Sequence, residues 1–235
     1  MGAIFRREMK AYFTSPIAYI FITVFYIYTG YFFVMGNIAA ASTSMTNLFA
    51  TVFTIMMFML PLLTMRLFSE EKKQKTDQGL LTAPVNLFEI VFGKFLAAMV
   101  VFLISMAIYI VYALVIYGYA GSFSVSTFVG NMLGLMLLGM TFVSSGIFAS
   151  VLTENQIVSA ILGFIFNMAM YMIDVIASSI NINGVKTVLQ SLSFYTRYYE
   201  FTTGIINIGS VVFFLSAAFI FNFLTVRVLE KRRWG

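Results

Sequence analysis

Between Lys10 and Arg66 the chain runs for 55 residues without an Asp, Glu, Lys or Arg. A helix that crosses a bilayer needs about 20 consecutive apolar residues. This stretch therefore accommodates two crossings, residues 16–40 and 47–68, parted by the polar break Ala41-Ser-Thr-Ser-Met-Thr-Asn47. The whole chain is 61% hydrophobic and only 10% charged, against roughly half and a quarter in a soluble domain. No segment is polar enough and long enough to form a water-soluble domain of its own. The expectation is one all-α integral membrane domain over residues 1–235.

A second charge-free stretch, Phe95 to Thr153, holds two more spans at about 94–117 and 125–151, with a glycine- and serine-rich turn between them. Spans five and six follow at 157–178 and 208–228. With the N-terminus in the cytoplasm, six crossings place Arg6, Arg7, Lys10, Arg66, Lys72, Lys73, Lys75, Lys94, Arg227, Lys231, Arg232 and Arg233 inside. Only Lys186 and Arg197 fall outside, the bias expected of cytoplasmic loops. Both termini are then cytoplasmic. The first span, with basic residues before it and Ala39-Ala40-Ala41 after it, has a signal-like outline, but the apolar run is too long for a cleaved leader and reads as a retained anchor. Ahead of it, over about residues 3–14, Ile4, Phe5, Met9, Tyr12 and Phe13 share one helical face and Arg6, Arg7 and Lys10 the other. That pattern suits an interfacial elbow helix, or a helix whose basic residues only orient the protein.

The chain has no cysteine and no histidine, which removes disulfides, thiolate metal sites, a Cys nucleophile and the commonest general base. The net charge of +5 sits at the ends of apolar runs, where it fits anionic lipid headgroups and not nucleic acid. There is no G-x-x-x-x-G-K-[ST] phosphate loop, so the chain is expected to bind no nucleotide cofactor itself.

The loop from Ser69 to Lys94 is charged in its front half and apolar in its back half. This predicts a solvated helix over about 69–78, a turn near Thr82-Ala-Pro84, and a short amphipathic helix from Val85 into span three. Leu80, Leu81, Val85, Leu87 and Phe88 then lie at the cytoplasmic face, either packed under the bundle or offered to a soluble partner. Met65-Arg66, Phe68 to Lys72, Leu80-Leu81, Pro84-Val85 and Gly93-Lys94 follow one another in a characteristic order and spacing. In this the chain resembles the permeases of ABC exporters of the ABC-two class, those like the gliding-motility permeases of bacteria in particular. One departure is Lys75-Thr76, where that family shows a Gly-Thr pair. The resemblance extends over nearly the whole chain, from Phe5-Arg6-Arg7-Glu8 to Lys231-Arg-Arg-Trp234. It implies a coupling helix within the 69–88 loop that fits a groove in a separate ABC ATPase, with Glu70, Glu71, Lys72, Leu80, Leu81, Pro84, Val85 and Phe88 as its contact residues. It further implies ATP and Mg on that ATPase, a second permease copy or paralogue, and the bacterial cytoplasmic membrane. Glu154, in the short turn between spans four and five, is either a carboxylate near a helix N-terminus or a second ATPase contact.

On span four, Gly130, Gly134, Gly139, Ser144, Ser145, Gly146 and Ala149 permit close helix approach, for packing within the bundle, for a dimer interface or for a path. Asp174 lies near the outer end of span five, where it either reaches water or serves function. The segment 180–207 predicts a surface-lying or re-entrant outer helix with aromatic residues Tyr195, Tyr198 and Tyr199, as a headgroup belt or as a gate. Against an ATP-driven exporter subunit stand an ATP-independent transporter or channel and an ABC complex with mechanical or regulatory output. A membrane-embedded enzyme finds no catalytic set in this sequence.

Overall fold

A computed structural model describes residues 1–76, 79, 86–120, 124–179 and 183–234. Those residues are nearly all helical, and six stretches are long and apolar enough to cross a membrane. In chain order the helices are α1 (Gly2–Thr14), α2 (Pro16–Phe33), α3 (Thr46–Thr64), α4 (Arg66–Lys73), α5 (Leu87–Met106), α6 (Ile108–Ala120), α7 (Val125–Leu152), α8 (Gln156–Ser179), α9 (Asn183–Leu192), α10 (Phe194–Thr202) and α11 (Ile208–Trp234). Span one is α2, prolonged by a π-helical turn over Val34–Ile38. Span two is α3 running into α4, span three is α5 followed by α6, and spans four, five and six are α7, α8 and α11.

The boundaries differ from the sequence expectation around the first charged loop, because charge does not end the helices there. The charged helix of the first loop directly continues span two from Arg66 and stops at Lys73 instead of Gln78. Span three starts at Leu87, capped by the Asn86 side chain, which accepts the Phe88 N–H at 3.1 Å. Lys94 is therefore two turns inside the helix and not at its mouth.

The bundle is organised around α7, which packs against α11, α8, α3, α10, α4 and α5. The small residues of span four are what let it do so. A Cβ added at Gly139 would overlap the Phe102 ring, and one at Gly146 would overlap Thr64. On the facing helix, a Cβ at Gly163 would come 2.9 Å from the Pro61 Cβ and 3.5 Å from the Gly146 Cα. Spans two, four and five thus meet at Pro61, Gly146 and Gly163 with almost no side chain between them, the close approach that stabilises helix association in lipid.

Pro61 lies inside α3 and cannot donate to the carbonyl four residues earlier, that of Met57. Within a bilayer that acceptor has no water to turn to. The Asn167 side chain of α8 supplies the missing donor, its Nδ2 reaching the Met57 oxygen at 3.2 Å, and its Oδ1 accepts from Ser145 Oγ at 2.6 Å. A proline break in one span is thereby repaired by an amide from another.

At the end of the bundle away from α1, α9 and α10 join spans five and six. Ser193 breaks the pair and caps α10 by accepting the Thr196 N–H at 3.1 Å. α9 stays largely exposed, whereas α10 buries Phe194, Tyr198, Phe201 and Thr202. The Tyr198 hydroxyl donates to the Phe49 carbonyl of span two at 2.7 Å. Gly204 closes this segment at φ +85°, a conformation open to glycine at no steric cost.

Replacing Asn167 by Leu leaves the Met57 carbonyl unpaired and is expected to cost about 1–3 kcal/mol. Most of that cost should vanish in a Pro61→Ala background, where residue 61 regains its N–H. Thermal unfolding of the four proteins of the cycle reads the coupling directly.

Candidate coupling site at the basic end

α1, α4, α5 and the 153–155 turn gather at one end of the bundle. α1 has the faces its sequence suggests: Arg6, Arg7 and Lys10 are exposed, and Ile4, Phe5, Met9 and Phe13 pack against the core. Glu8 and Tyr12, one turn apart, are the buried residues of this helix. Gly93 of α5 gives α1 its seat, since a Cβ there would stand 3.2 Å from Ile4 Cγ2.

Glu8 is thereby brought to Lys94, whose side chain is 1% exposed. The Lys94 ammonium contacts the Glu8 carboxylate at 2.9 Å, the Glu71 carboxylate at 3.0 Å and the Leu67 carbonyl at 2.6 Å. Two of these contacts, with Glu8 and Leu67, are hydrogen bonds, and the third is an ion pair. Arg7 closes the cluster by pairing with Glu8 at 2.6 Å and with Glu71, and the Phe68 ring lies beneath the ammonium at 4.9 Å. Burial pushes the Glu8 carboxyl up, but the charges and hydrogen bonds of Lys94 and Arg7 outweigh it and hold it below the ordinary carboxylate value. Burial likewise works against the Arg7 charge, and the contacts with Glu8 and Glu71 overcome it. Two cations and two carboxylates thus lock α1, α4 and α5 together.

The next residue of α4 points elsewhere. Lys72 reaches Glu154 of the short turn between spans four and five at 3.6 Å. Beside this pair an open groove of about 530 Å³ is lined by Lys73, Glu154, Asn155, Gln156 and Ile157. Lys72 and Glu154, 82 residues apart in sequence and each singled out as a contact for a soluble partner, are therefore side by side in space.

α4 ends in a Schellman motif: the Thr76 N–H donates to the Glu71 carbonyl at 3.0 Å and the Lys75 N–H to that of Lys72 at 3.1 Å. Lys75 takes the left-handed position with φ +57°, where glycine is favoured. This is the position at which the sequence shows Lys in place of the Gly of a Gly-Thr pair.

Of the expected contact residues, Glu70 is half-buried and accepts from Gln74 Nε2 at 3.3 Å. Glu71 belongs to the buried cluster and Lys72 to the pair with Glu154. Phe88 is 46% exposed and stacks on Phe92, with ring centroids 5.7 Å apart. Leu80, Leu81, Pro84 and Val85 lie outside the described residues. At the other end, Asp174 accepts from Ser193 Oγ and Thr196 Oγ1, each at 2.6 Å, and so holds the start of α10. Tyr195 packs edge-on against Phe53 and Tyr171, Tyr198 is buried, and Tyr199 is exposed. Arg7, Glu8 and Lys94 were missed as a constellation. The signals were present: a lone acid among the basic residues of α1, in register with Tyr12, and a lysine directly after a glycine inside an apolar run.

A bundle of six membrane-length apolar helices with a polar, ion-paired end defines a polytopic membrane protein. A family model described as ABC-2 family transporter protein matches residues 5–170, from α1 through most of α8. The chain belongs to that family and is a permease subunit of an ABC transporter, which implies a bilayer and a partner ATPase subunit. No curated protein matches the chain.

Lys94→Met leaves two buried carboxylates with only Arg7 between them and is expected to cost about 3–5 kcal/mol, read as a lowered unfolding temperature in detergent. Lys75→Gly is expected to raise stability by about 0.5–1 kcal/mol, the left-handed penalty less the extra chain entropy glycine loses. The same thermal assay measures it.

Proposed function

We propose that this permease is the membrane half of an ATP-driven exporter of the bacterial cytoplasmic membrane, akin to the gliding-motility permeases, with both termini in the cytoplasm. The distribution of basic residues supports that orientation, since twelve of the fourteen fall at the α1 end or in the loops on its side. In this reading α1 is the elbow helix at the inner headgroup level. The loop after α4, with Leu80, Leu81, Pro84, Val85 and Phe88, docks into a separate ABC ATPase, and Glu154 and its groove form the second contact. Two permeases, identical or paralogous, pair around one path, and two ATPases carry the ATP and Mg.

The observation that carries this reading is the Lys94 cluster. A push on the docking loop reaches α4, and through Glu71, Lys94 and Glu8 it is transmitted to span three and α1 as one rigid unit. Nucleotide can drive transport only if the ATPase binds the permease states with different affinity, and a loop tied to the bundle by buried charge makes such a difference available. On the outer side Asp174, Tyr195, Tyr198 and Tyr199 belong to the segment that closes the path.

The test is co-expression with the cognate ABC ATPase and purification in lipid nanodiscs. The native chain should retain the ATPase, Leu81→Asp and Glu154→Lys should each weaken retention, and Glu71→Gln should keep the ATPase but lower coupled ATP turnover. A native chain that retains no ATPase overturns the proposal.

A further inference from the structure

At the end of the bundle away from α1, α8 and α10 bring one acid and several aromatic rings to the same corner. Asp174 follows Tyr171 by one turn of α8. Its Oδ1 takes the hydroxyl donors of both Ser193 and Thr196, at 2.6 Å each, which holds the carboxylate beside Tyr195. Phe53 of span two, fully buried, forms the floor, with its ring centroid 5.1 Å from that of Tyr195 and 5.7 Å from that of Tyr171. The Tyr171 ring stands at 84° to Tyr195, the centroids 5.8 Å apart. Tyr199, one turn further along α10, lies at 28° to Tyr195 with centroids 6.2 Å apart and is 44% exposed. Tyr171, Asp174 and Tyr195 are each half-buried, so the corner is open on one side.

The charge of this corner is unmatched. Fastening α10 uses one oxygen of Asp174. The other accepts no hydrogen bond among the described residues and is not enclosed, and no Lys or Arg among them pairs with Asp174. Arg197, the basic residue of α10, is engaged elsewhere: it donates to the Ser191 carbonyl and to Ser210 Oγ, and it lies over the Phe213 ring of span six, 4.6 Å from the centroid. Glu200, the other acid of α10, accepts from Ser210 and Asn207. Burial raises the Tyr195 hydroxyl above its ordinary value, and Tyr171, Tyr199 and Asp174 push it the same way. Electron-rich groups therefore converge here with no cation among them.

We infer that Asp174, Tyr171, Tyr195 and Tyr199 form a binding site for a quaternary ammonium group carried on an apolar body. The free carboxylate oxygen meets the positive charge, and the alkyl groups around the nitrogen rest on the tyrosine faces, the arrangement by which aromatic residues recognise such ions. An acid at the margin of a membrane span is a functional position of this kind. The inference rests on the exporter reading only for the role of the cation as cargo. Its binding is measured without an ATPase, so the two readings fail separately.

Equilibrium dialysis of benzyltrimethylammonium against the full chain in neutral maltoside micelles, with the uptake of empty micelles subtracted, measures the site. The native protein should bind this cation more tightly than its uncharged isostere neopentylbenzene. Asp174→Asn, which keeps an oxygen for Ser193 and Thr196, should weaken binding about fivefold, the effect of one partly solvated charge pair. Tyr199→Leu, at an exposed position, should weaken it about two- to fivefold, and it keeps the test standing if Asp174→Asn fails to fold. Phosphatidylcholine added to the micelles separates two sources of the group. Displacement of the probe assigns the site to a choline headgroup, and a retained probe assigns it to a soluble cation, the ammonium being recognised in both cases. No binding by the native chain overturns the proposal, as does equal binding of the isostere or unchanged binding in either folded variant.

Discussion

A single buried ammonium governs the basic end of this molecule. Lys94 lies two turns inside span three, where an uncompensated charge would be driven either to neutralise or to withdraw to water. Three acceptors meet it there, from α1, from α4 and from the backbone of α4. Each acceptor belongs to a segment that hydrophobic packing alone would leave free to slide. α1 is short and amphipathic, and α4 is a charged extension of a membrane span. Removing water from the cluster makes their positions interdependent, since displacing any one strands the charges of the others.

The interior obeys the same requirement with neutral groups. Lipid tails give no hydrophobic advantage to helix association, so the spans adhere through close contact and hydrogen bonds. Gly139, Gly146 and Gly163 supply the contact. Asn167 with Ser145, Asn222 with Ser144 and Thr141 with the Phe214 carbonyl supply bonds between helices. Pro61 shows how the two are linked: it brings span two against Gly163 at the cost of an orphaned carbonyl, and the same helix that accepts the contact, α8, returns the hydrogen bond through Asn167. The core is firm around α7, while spans one and five leave much of their surface exposed.

The end of the bundle away from α1 is built more as a plug than as a belt. Tyr198 and Phe201 turn inward beneath the ends of spans two and four, and Asp174 fixes the start of their helix through two hydroxyl donors. An intramembrane acid and a row of aromatics at this position read from sequence as groups facing water or headgroups. In the fold, Asp174 and Tyr198 are first of all the fastenings of α10, and Tyr199 is the member of the row left open to the surroundings.

The sequence by itself determined the class of the molecule and the number of crossings. Charge-free runs long enough to span a bilayer admit only helices, because a backbone in lipid must satisfy its own hydrogen bonds. It also determined that span four carries the small residues. The partners of the charges were decided only by tertiary structure. Lys94 and Arg66 look like loop cations in a linear reading, and Glu8 looks like part of a solvated face. Their pairing depends on the angle at which α1 lies across span three, an angle set by Ile4 resting on Gly93 and by the continuation of span two into α4. Periodicity reports which face of a helix is apolar, but it contains no information on which distant helix that face will meet, and a buried charge is defined by that meeting.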